Sequence, residues 1–156
     1  MARGMRLSRH TDYALRVLMH VAVRGDGSSS IPEIARAYVI SEEHLRKVVH
    51  SLGKAGFIAT QRGRGGGIRL GRPTVEINLG SVVRHTEGAL APVSCVSDRF
   101  YERCTCPDEA RCPIRAVMKE AREAVVGIME RATVADLCER ARQLEEAAST
   151  SLDYVI

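Results

Sequence analysis

Four of the five cysteines in this 156-residue chain lie within a stretch of 18 residues, at Cys95, Cys104, Cys106 and Cys112, whereas Cys138 stands apart. The sequence contains neither a long apolar run typical of a membrane span nor a signal peptide, so we expect a cytoplasmic protein with reduced thiols. In a reducing compartment, clustered cysteines indicate metal binding or redox chemistry rather than a disulfide framework. Thiolates on a loop suit zinc or an iron–sulfur cluster.

The spacing of these cysteines bears on which metal they would bind. Zinc sites favour paired C-x₂₋₄-C knuckles, whereas this stretch offers only C-x-C and C-x₅-C. Cysteines spread along one loop fit a cluster with several irons better than a tetrahedral knuckle, and Cys106 and Cys112 are each followed by proline, as cluster ligands commonly are. The spacing therefore favours an iron–sulfur cluster, and structural zinc stays an alternative. Cys138, beside Leu137 in a helical pattern, is expected to be a buried packing residue.

The charge of the chain is asymmetric, although its net value is only +4. Residues 31–72 carry eight basic and three acidic side chains, a net of +5, whereas residues 121–156 carry four basic and seven acidic ones. A basic block in a folded segment indicates a polyanionic partner, and a solvated charged surface is the alternative.

The basic block also has the periodicity of a helix-turn-helix. Residues 8–24 predict a first helix, Ser30 begins a short second one, and Ser41 begins a third with an apolar stripe on one face. Two short helices joined by a tight turn, with polar and basic residues on the second, are typical of DNA-binding proteins. The candidate DNA-binding residues of this third helix are Ser41, His44, Arg46, Lys47 and His50.

A hairpin with a glycine-rich tip follows the third helix. Residues 57–61 and 68–70 predict two strands, and the tip RGRGGG at 62–67 carries Arg62 and Arg64. Glycines permit a close approach to another surface, and the arginines could then reach phosphates or the minor groove. A nucleotide-binding phosphate loop is excluded because no Lys-Ser/Thr and no helix follow directly. The hairpin is therefore expected to be the wing of a winged helix.

The C-terminal part predicts mostly helix. A short helix is expected at 79–87, then the irregular cysteine stretch, then a long helix from Pro113 with apolar residues at 3–4 spacing, and a shorter one capped by Thr133 and ending near 146. The fold class is mainly α with a small β-hairpin: a winged helix-turn-helix plus a long C-terminal dimerisation helix. We expect a DNA-binding domain at 1–80, a short helix and cysteine loop at 81–112, and dimerisation and terminal helices at 113–156. The long helix could instead fold back as core.

Three segments resemble the winged-helix iron–sulfur transcription repressors, the family of the NsrR, IscR and RirA regulators. They are RLSRHTDYALRVLMHVAV at 6–23, SEEHLRKVVHSLGKAGFIATQRGRGGGIRLGRP at 41–73, and INLGSVVRHTEG with the cysteine stretch at 77–112. The segments TDYALR and HLRKVVHSLG are most similar to the nitric-oxide-sensing NsrR branch of this family. The resemblance implies a homodimer that binds a palindromic operator in double-stranded DNA and carries an iron–sulfur cluster.

The resemblance also implies a ligand set. Cys95, Cys106 and Cys112 match the three cluster cysteines, and Asp12 matches an aspartate that reaches across the dimer as a non-cysteine ligand in some members. A 4Fe–4S cluster is favoured and a 2Fe–2S cluster is the alternative. This chain departs from the pattern, because ten residues separate Cys95 from Cys106 and Cys104 is extra. Cys104 could therefore replace Cys106 or stand in for Asp12.

These observations predict a repressor rather than an enzyme, because no nucleophile–base pair or cofactor fingerprint is present for a redox enzyme. Nitric oxide is the expected signal. The alternatives are an iron- or redox-responsive regulator of the RirA or IscR type, since IPEIARAY and RGRGGGIRLGRP also resemble that branch, and a DNA-binding protein with structural zinc.

Overall fold

The computed structural model of the chain describes residues 7–25, 28–61, 63, 66–88, 90–97, 101–102 and 106–152. Within these residues the fold is helical with one two-stranded hairpin, as predicted. The elements are α1 (Arg9–Val23), α2 (Ile31–Tyr38), α3 (Glu42–Lys54), β1 (Ile58–Gln61), β2 (Gly67–Leu70), α4 (Leu79–Glu87), α5 (Pro113–Arg131) and α6 (Val134–Leu152).

The core forms where α1 packs against α3, α4 and α6. One face of α1 is fully buried because its apolar residues recur at three- and four-residue intervals, and α3 contributes an equivalent stripe. Both helices begin as the sequence predicts, with Ser8 and Ser41 accepting hydrogen bonds from backbone amides at their N-termini. The buried residues of these two stripes are Ala14, Val17, Leu18, Val21, Leu45, Val48, Val49 and Leu52.

The hairpin pairs β1 with β2 in antiparallel register, with Ile58 opposite Leu70 and Gln61 opposite Gly67. The loop before α2 extends this small sheet. Ser29 donates to the Ile68 carbonyl at 3.0 Å and accepts from the Ile68 amide at 2.7 Å. A Cβ on Gly67, whose φ is +157°, would lie 2.7 Å from the Ser28 side chain, so glycine is needed for this close approach.

The start of α4 is held against the junction of α5 and α6. Leu79 donates to the Ala132 carbonyl and Val134 donates to the Ile77 carbonyl, both at 2.8 Å. Gly80 makes the closest approach, because a Cβ there would lie 2.6 Å from Cγ and 3.1 Å from Cα of Glu130. Arg84 forms an ion pair with Glu130 on the same side. The end of α5 is therefore fixed directly to α4.

Two elements differ from the sequence-based expectation. The last helix continues to Leu152 rather than ending near 146, because Ala147 and Ala148 favour helix and no glycine or proline stops it. The cysteine stretch is irregular as expected, but Ser94–Val96 forms a short 3₁₀ turn that carries Cys95. In the described part of the chain, no helix is both long and apolar enough to cross a membrane.

Candidate nucleic-acid interface and metal centre

Helices α2 and α3 form the predicted helix-turn-helix. At the start of α2, Ser30 and Glu33 form a capping box, in which the Ser30 amide donates to the Glu33 carboxylate at 2.7 Å. These hydrogen bonds to Ser30 lower the pKa of Glu33. The turn between the helices passes through Val39, which has φ 54° and a side chain that is 94% exposed. A β-branched residue is strained in this left-handed conformation, where glycine would be relaxed.

The outer face of α3 carries the predicted DNA-binding side chains. The Ser41 hydroxyl lies 2.7 Å from Nδ1 of His44, so the cap also orients the first of these side chains. The buried stripe of α3 faces α1, which leaves the opposite face towards solvent. The exposed candidates on this face are Ser41, His44, Arg46, Lys47 and His50.

The two basic side chains of α3 form ion pairs within the helix. Arg46 lies 2.7 Å from Glu42, and Lys47 lies 2.9 Å from Glu43. The hydrogen bond and charge of Lys47 are the largest causes of a lowered Glu43 pKa. Exposed i,i+4 pairs contribute only about 0.3–0.5 kcal/mol each, so a phosphate could readily compete for either cation.

The structure assigns different roles to the arginines of the basic block. Arg69 is exposed on β2 and joins the outer surface of the wing, a position that strand alternation alone could have identified. Arg72 instead holds the turn after α3, because its guanidinium donates to the Ala55 and Gly56 carbonyls and lies 4.9 Å from the Phe57 ring centre. The wing-tip predictions Arg62 and Arg64 fall outside the described residues.

The last turn of α4, which ends eight residues before Cys95, contacts two other helices. Nε2 of His85 lies 2.9 Å from the Ser51 hydroxyl of α3. Glu87 accepts hydrogen bonds from the Ser8 amide, at 2.6 Å, and from the buried Thr11 hydroxyl at the start of α1. This turn therefore joins α3 to the start of α1, a relationship that sequence periodicity did not reveal.

Two of the predicted metal ligands lie together. The sulfurs of Cys106 and Cys112 are 3.7 Å apart. Cys112 is the residue that precedes α5, and the backbone amide of Arg115 is the main cause of a lowered pKa for its thiol. The helix start therefore favours the thiolate form that metal binding requires.

Cys95 is joined to the same helix end by its backbone. Nε of Arg115 donates to the Cys95 carbonyl at 3.2 Å and lies 3.5 Å from the Glu109 carboxylate. Cys138 packs against the core as predicted, although it is only partly buried, and burial raises the pKa of its thiol. Cys104 lies outside the described residues.

Asp12 lies in the first turn of α1, where its carboxylate pairs with Arg16 at 3.0 Å and is 47% exposed. Across the segments that the structure covers, no group of three or more His, Cys, Asp or Glu side chains is assembled that could hold a metal ion. Of the described candidates, Cys95 or Asp12 would therefore have to approach the Cys106–Cys112 pair to complete a centre, by movement of the loop or from a second protomer.

The donor chemistry of this site suits two kinds of metal. Thiolates bind both zinc and the irons of a cluster. Two thiolates on one tetrahedral zinc ion lie about 3.8 Å apart, given Zn–S bonds of about 2.3 Å, which is close to the observed Cys106–Cys112 separation. Ligands on different irons of a cluster lie farther apart, so one of these thiols would have to turn outward to bind a cluster.

The helix-turn-helix, the hairpin after it and the helical C-terminal part define a DNA-binding regulator of the winged-helix class. The profile of the Rrf2 family, described as "Iron-dependent Transcriptional regulator", matches residues 7–140, and the chain belongs to this family. The family assignment makes this protein a transcriptional regulator rather than an enzyme.

Relatives match over most of the chain. The "HTH-type transcriptional regulator NsrR" of Geobacillus kaustophilus is 43% identical over 136 residues, covering 86% of this chain and 90% of that protein. "Protein aau3" of Rhizobium meliloti is 40% identical over 140 residues, covering 90% of this chain and 89% of that protein. The structure of CymR (YrzC), the global cysteine regulator of B. subtilis, superposes with a TM-score of 0.73 at 28% identity, covering 86% of this chain and 97% of that one.

Proposed function

We propose that this regulator is a homodimeric repressor whose affinity for a palindromic operator is controlled by nitric oxide acting on an iron–sulfur cluster. One observation supports the proposal: the last turn of α4 contacts both α3 and the start of α1, and Cys95 follows eight residues after Glu87 in the chain. A rearrangement of the cysteine stretch would act through this turn on α1 and α3.

DNA recognition is assigned to α3 and the wing. The helix enters the major groove with the exposed face that begins at the cap Ser41, and Arg46 and Lys47 exchange their intrahelical carboxylates for phosphates or base edges. His44 and His50 extend the same face, and Arg62 and Arg64 at the wing tip contact the backbone or minor groove. Two-fold symmetry of the protein then requires two half-sites in the operator.

The long helix α5 is the proposed dimer interface. Over its 19 residues none is buried within one protomer. Ile114, Val117 and Ile128 are 64%, 57% and 61% exposed and lie on one side of the helix, at intervals of three and eleven residues. A second copy of the same helix would cover this apolar stripe and bring the two winged helices into one symmetric unit.

The proposed cluster ligands are Cys95, Cys106 and Cys112, with Asp12 of the second protomer or Cys104 in the fourth place. When bound, the cluster would supply irons that react with nitric oxide. The chain's own residues do the rest: Cys112 presents a thiolate at the start of α5, and Arg115 holds the carbonyl of Cys95. Asp12 would have to break its ion pair with Arg16 in order to bind the cluster. Binding of this fourth ligand would therefore change the first turn of α1.

The coupling runs from the cysteine stretch through α4. Release of the loop would change the hydrogen bonds of Glu87 with Ser8 and Thr11, and that of His85 with Ser51. A tenfold loss of operator affinity requires a coupling free energy of about 1.4 kcal/mol. That is the scale of one or two hydrogen bonds, so these contacts are sufficient to carry the signal.

The test is anaerobic purification followed by iron, sulfide and zinc analysis, with DNA binding measured by fluorescence anisotropy on duplexes selected from a random pool. We expect iron and sulfide in the protein, visible absorption that nitric oxide removes, and weaker DNA binding after exposure. The Cys112→Ser variant should lose the cluster, whereas Cys138→Ser should keep it, because Cys138 packs against the core. Binding controlled by iron supply but indifferent to nitric oxide would support the iron-responsive alternative instead.

Structural zinc is the second candidate, because the 3.7 Å separation of Cys106 and Cys112 matches two thiolates on one tetrahedral ion. A colourless protein with stoichiometric zinc, and with DNA binding that nitric oxide leaves unchanged, would establish this candidate and reject the cluster.

A further inference from the structure

Arg115 occupies an unusual position among the charged residues of α5. It lies in the first turn of the helix, where its backbone amide is directed to the Cys112 thiol. Its side chain runs in another direction, towards the carbonyl of Cys95, to which Nε donates at 3.2 Å across a separation of twenty residues. One residue thus contacts two of the three proposed cysteine ligands.

The same guanidinium is connected to the rest of the cysteine stretch through Glu109. The Glu109 carboxylate lies 3.5 Å from Nε of Arg115 and accepts hydrogen bonds from the Tyr101 hydroxyl at 2.9 and 2.8 Å. The Glu109 carbonyl also accepts from the Cys112 amide at 3.4 Å. The segments around positions 95, 101 and 109 therefore meet at the start of α5 without a metal ion.

An ordinary surface ion pair does not explain this arrangement. Arg115 is 40% exposed and its distance to Glu109 is long, so the pair by itself contributes little to stability. The neighbouring Arg111 forms a pair of the ordinary kind, with Asp108 three residues away, and is 89% exposed. The bond from Arg115 to the Cys95 carbonyl is what distinguishes the two arginines, because it closes a loop of the chain.

We propose that Arg115 is a positioning residue that holds the backbone of the 3₁₀ turn of Cys95 against the start of α5, so that Cys95 is kept next to the helix end that carries Cys112 before any metal binds. The proposal rests on the proposed function for the purpose of this positioning, but the contacts are a property of the metal-free chain. Both contacts are made by Nε of Arg115, and lysine has a carbon at this position and carries its single ammonium one atom further out on a flexible stem, so it cannot reproduce them.

The first test uses the full-length, metal-free protein. Alkylation of each cysteine by iodoacetamide is followed by mass spectrometry, with Cys138 as the internal reference. We expect Arg115→Ala to increase the alkylation rate of Cys95 several-fold relative to Cys138, because the turn is released from α5. The Arg111→Ala control removes the same charge beside Cys112 and should leave the Cys95 rate unchanged. Equal rates in the wild type and Arg115→Ala, or equal increases in both variants, would overturn the proposal.

A second measurement uses the metal-loaded protein. Loss of metal to a chelator should be about tenfold faster in Arg115→Ala, the usual scale when a residue that orients a ligand is removed, and Arg115→Lys should not restore the wild-type rate. If Arg115→Ala fails to fold, Glu109→Gln weakens the same network from the other side and should also raise Cys95 alkylation; no increase there would reject the proposal. Wild-type protein without iron or sulfide would reject the cluster, and alkylation would still decide the role of Arg115.

Discussion

Glu87 at the end of α4 accepts a hydrogen bond from the buried Thr11 hydroxyl at the start of α1, although 76 positions separate the two residues. The same carboxylate accepts from the Ser8 amide. Two donors from the first turn of α1 therefore converge on one side chain, which fixes the orientation of the turn that also carries Asp12. This contact gives the first of the predictions below.

Replacing Thr11 by valine should destabilise the fold by about 1–2 kcal/mol, because a buried hydrogen bond to a carboxylate is lost while the side-chain volume is kept. Urea unfolding monitored by circular dichroism measures the change. Thr60→Val on β1 is the matched control, since Thr60 is exposed and its replacement should alter stability little. If Thr11→Val is as stable as the wild type, the hydrogen bond from Thr11 to Glu87 does not contribute to the stability of the fold.

Replacing Val39 by glycine should stabilise the protein by roughly 1 kcal/mol. Val39 has φ 54°, where a side chain costs about 1–2 kcal/mol, and its 94% exposure means that little packing is lost. Thermal and urea unfolding give the measurement. Val23→Gly, at an exposed valine in ordinary helix, should be mildly destabilising. If both variants lose stability equally, the turn is not strained.

His20 should make stability decrease under mildly acidic conditions. Burial is the main cause of its lowered pKa, with the charge of Arg24 second, and Nε2 has no hydrogen-bond partner among the residues described. The unfolded chain therefore binds a proton near pH 6.5 before the folded one does, so stability is retained above this pH and falls as the pH decreases below it. Unfolding free energies of wild type and His20→Gln between pH 7.5 and about 5 test this: the difference should change with pH, and parallel curves would refute it.

Removing Lys47 should weaken DNA binding mainly through its phosphate contact. We expect Lys47→Ala to bind all duplexes less tightly and to reduce the slope of log affinity against log salt by about 1. Fluorescence anisotropy at several salt concentrations provides both quantities. Lys119→Ala on α5 removes an equal charge from another exposed ion pair and should keep the wild-type slope. An unchanged slope in Lys47→Ala would place α3 away from the phosphates.

Introducing a charge on α5 should disrupt the proposed dimer. Val117→Glu places a carboxylate in the middle of the exposed apolar stripe, where burial in a subunit interface would be unfavourable. Sedimentation velocity should show monomer at concentrations where the wild type is dimeric. Leu144→Glu changes an apolar residue on α6 that is still more exposed than Val117 and serves as the control. A dimer that persists in Val117→Glu but not in Leu144→Glu would move the interface to α6.

The sequence predicted the elements that repeat a local pattern. Helices α1, α3 and α4, the hairpin and the start of α5 at Pro113 agree with the structure, because apolar spacing, serine caps and glycine stops are encoded within each segment. The predicted end of α6 near residue 146 was wrong, because no local signal in the sequence ends that helix. The division into segments 1–80, 81–112 and 113–156 stays a prediction.

Long-range contacts could not be predicted in this way. Nothing near Ser29 in the sequence indicates that it pairs with Ile68, and Arg72 and Arg115 resemble ordinary basic residues until the chain folds. The candidate centre shows the same limit. The sulfurs of Cys106 and Cys112 lie 3.7 Å apart, which the C-x₅-C spacing alone did not predict. That Cys95 and Asp12 complete a ligand set with this pair stays a prediction.

The close approach of Gly80 to Glu130 fixes one end of α5 to α4, so a change in the angle between these helices moves the other end of α5. Glu130 is near one end of the helix and Cys112 precedes the other, so the two residues lie about 27 Å apart at 1.5 Å per residue. If α5 tilted by only about 7° at its contact with Gly80, Cys112 at the other end would move by about 3 Å, given this rise per residue. A side chain at position 80 would push α5 away from α4, and in the proposed mechanism this would weaken the transmission of a change at Cys112 to α4.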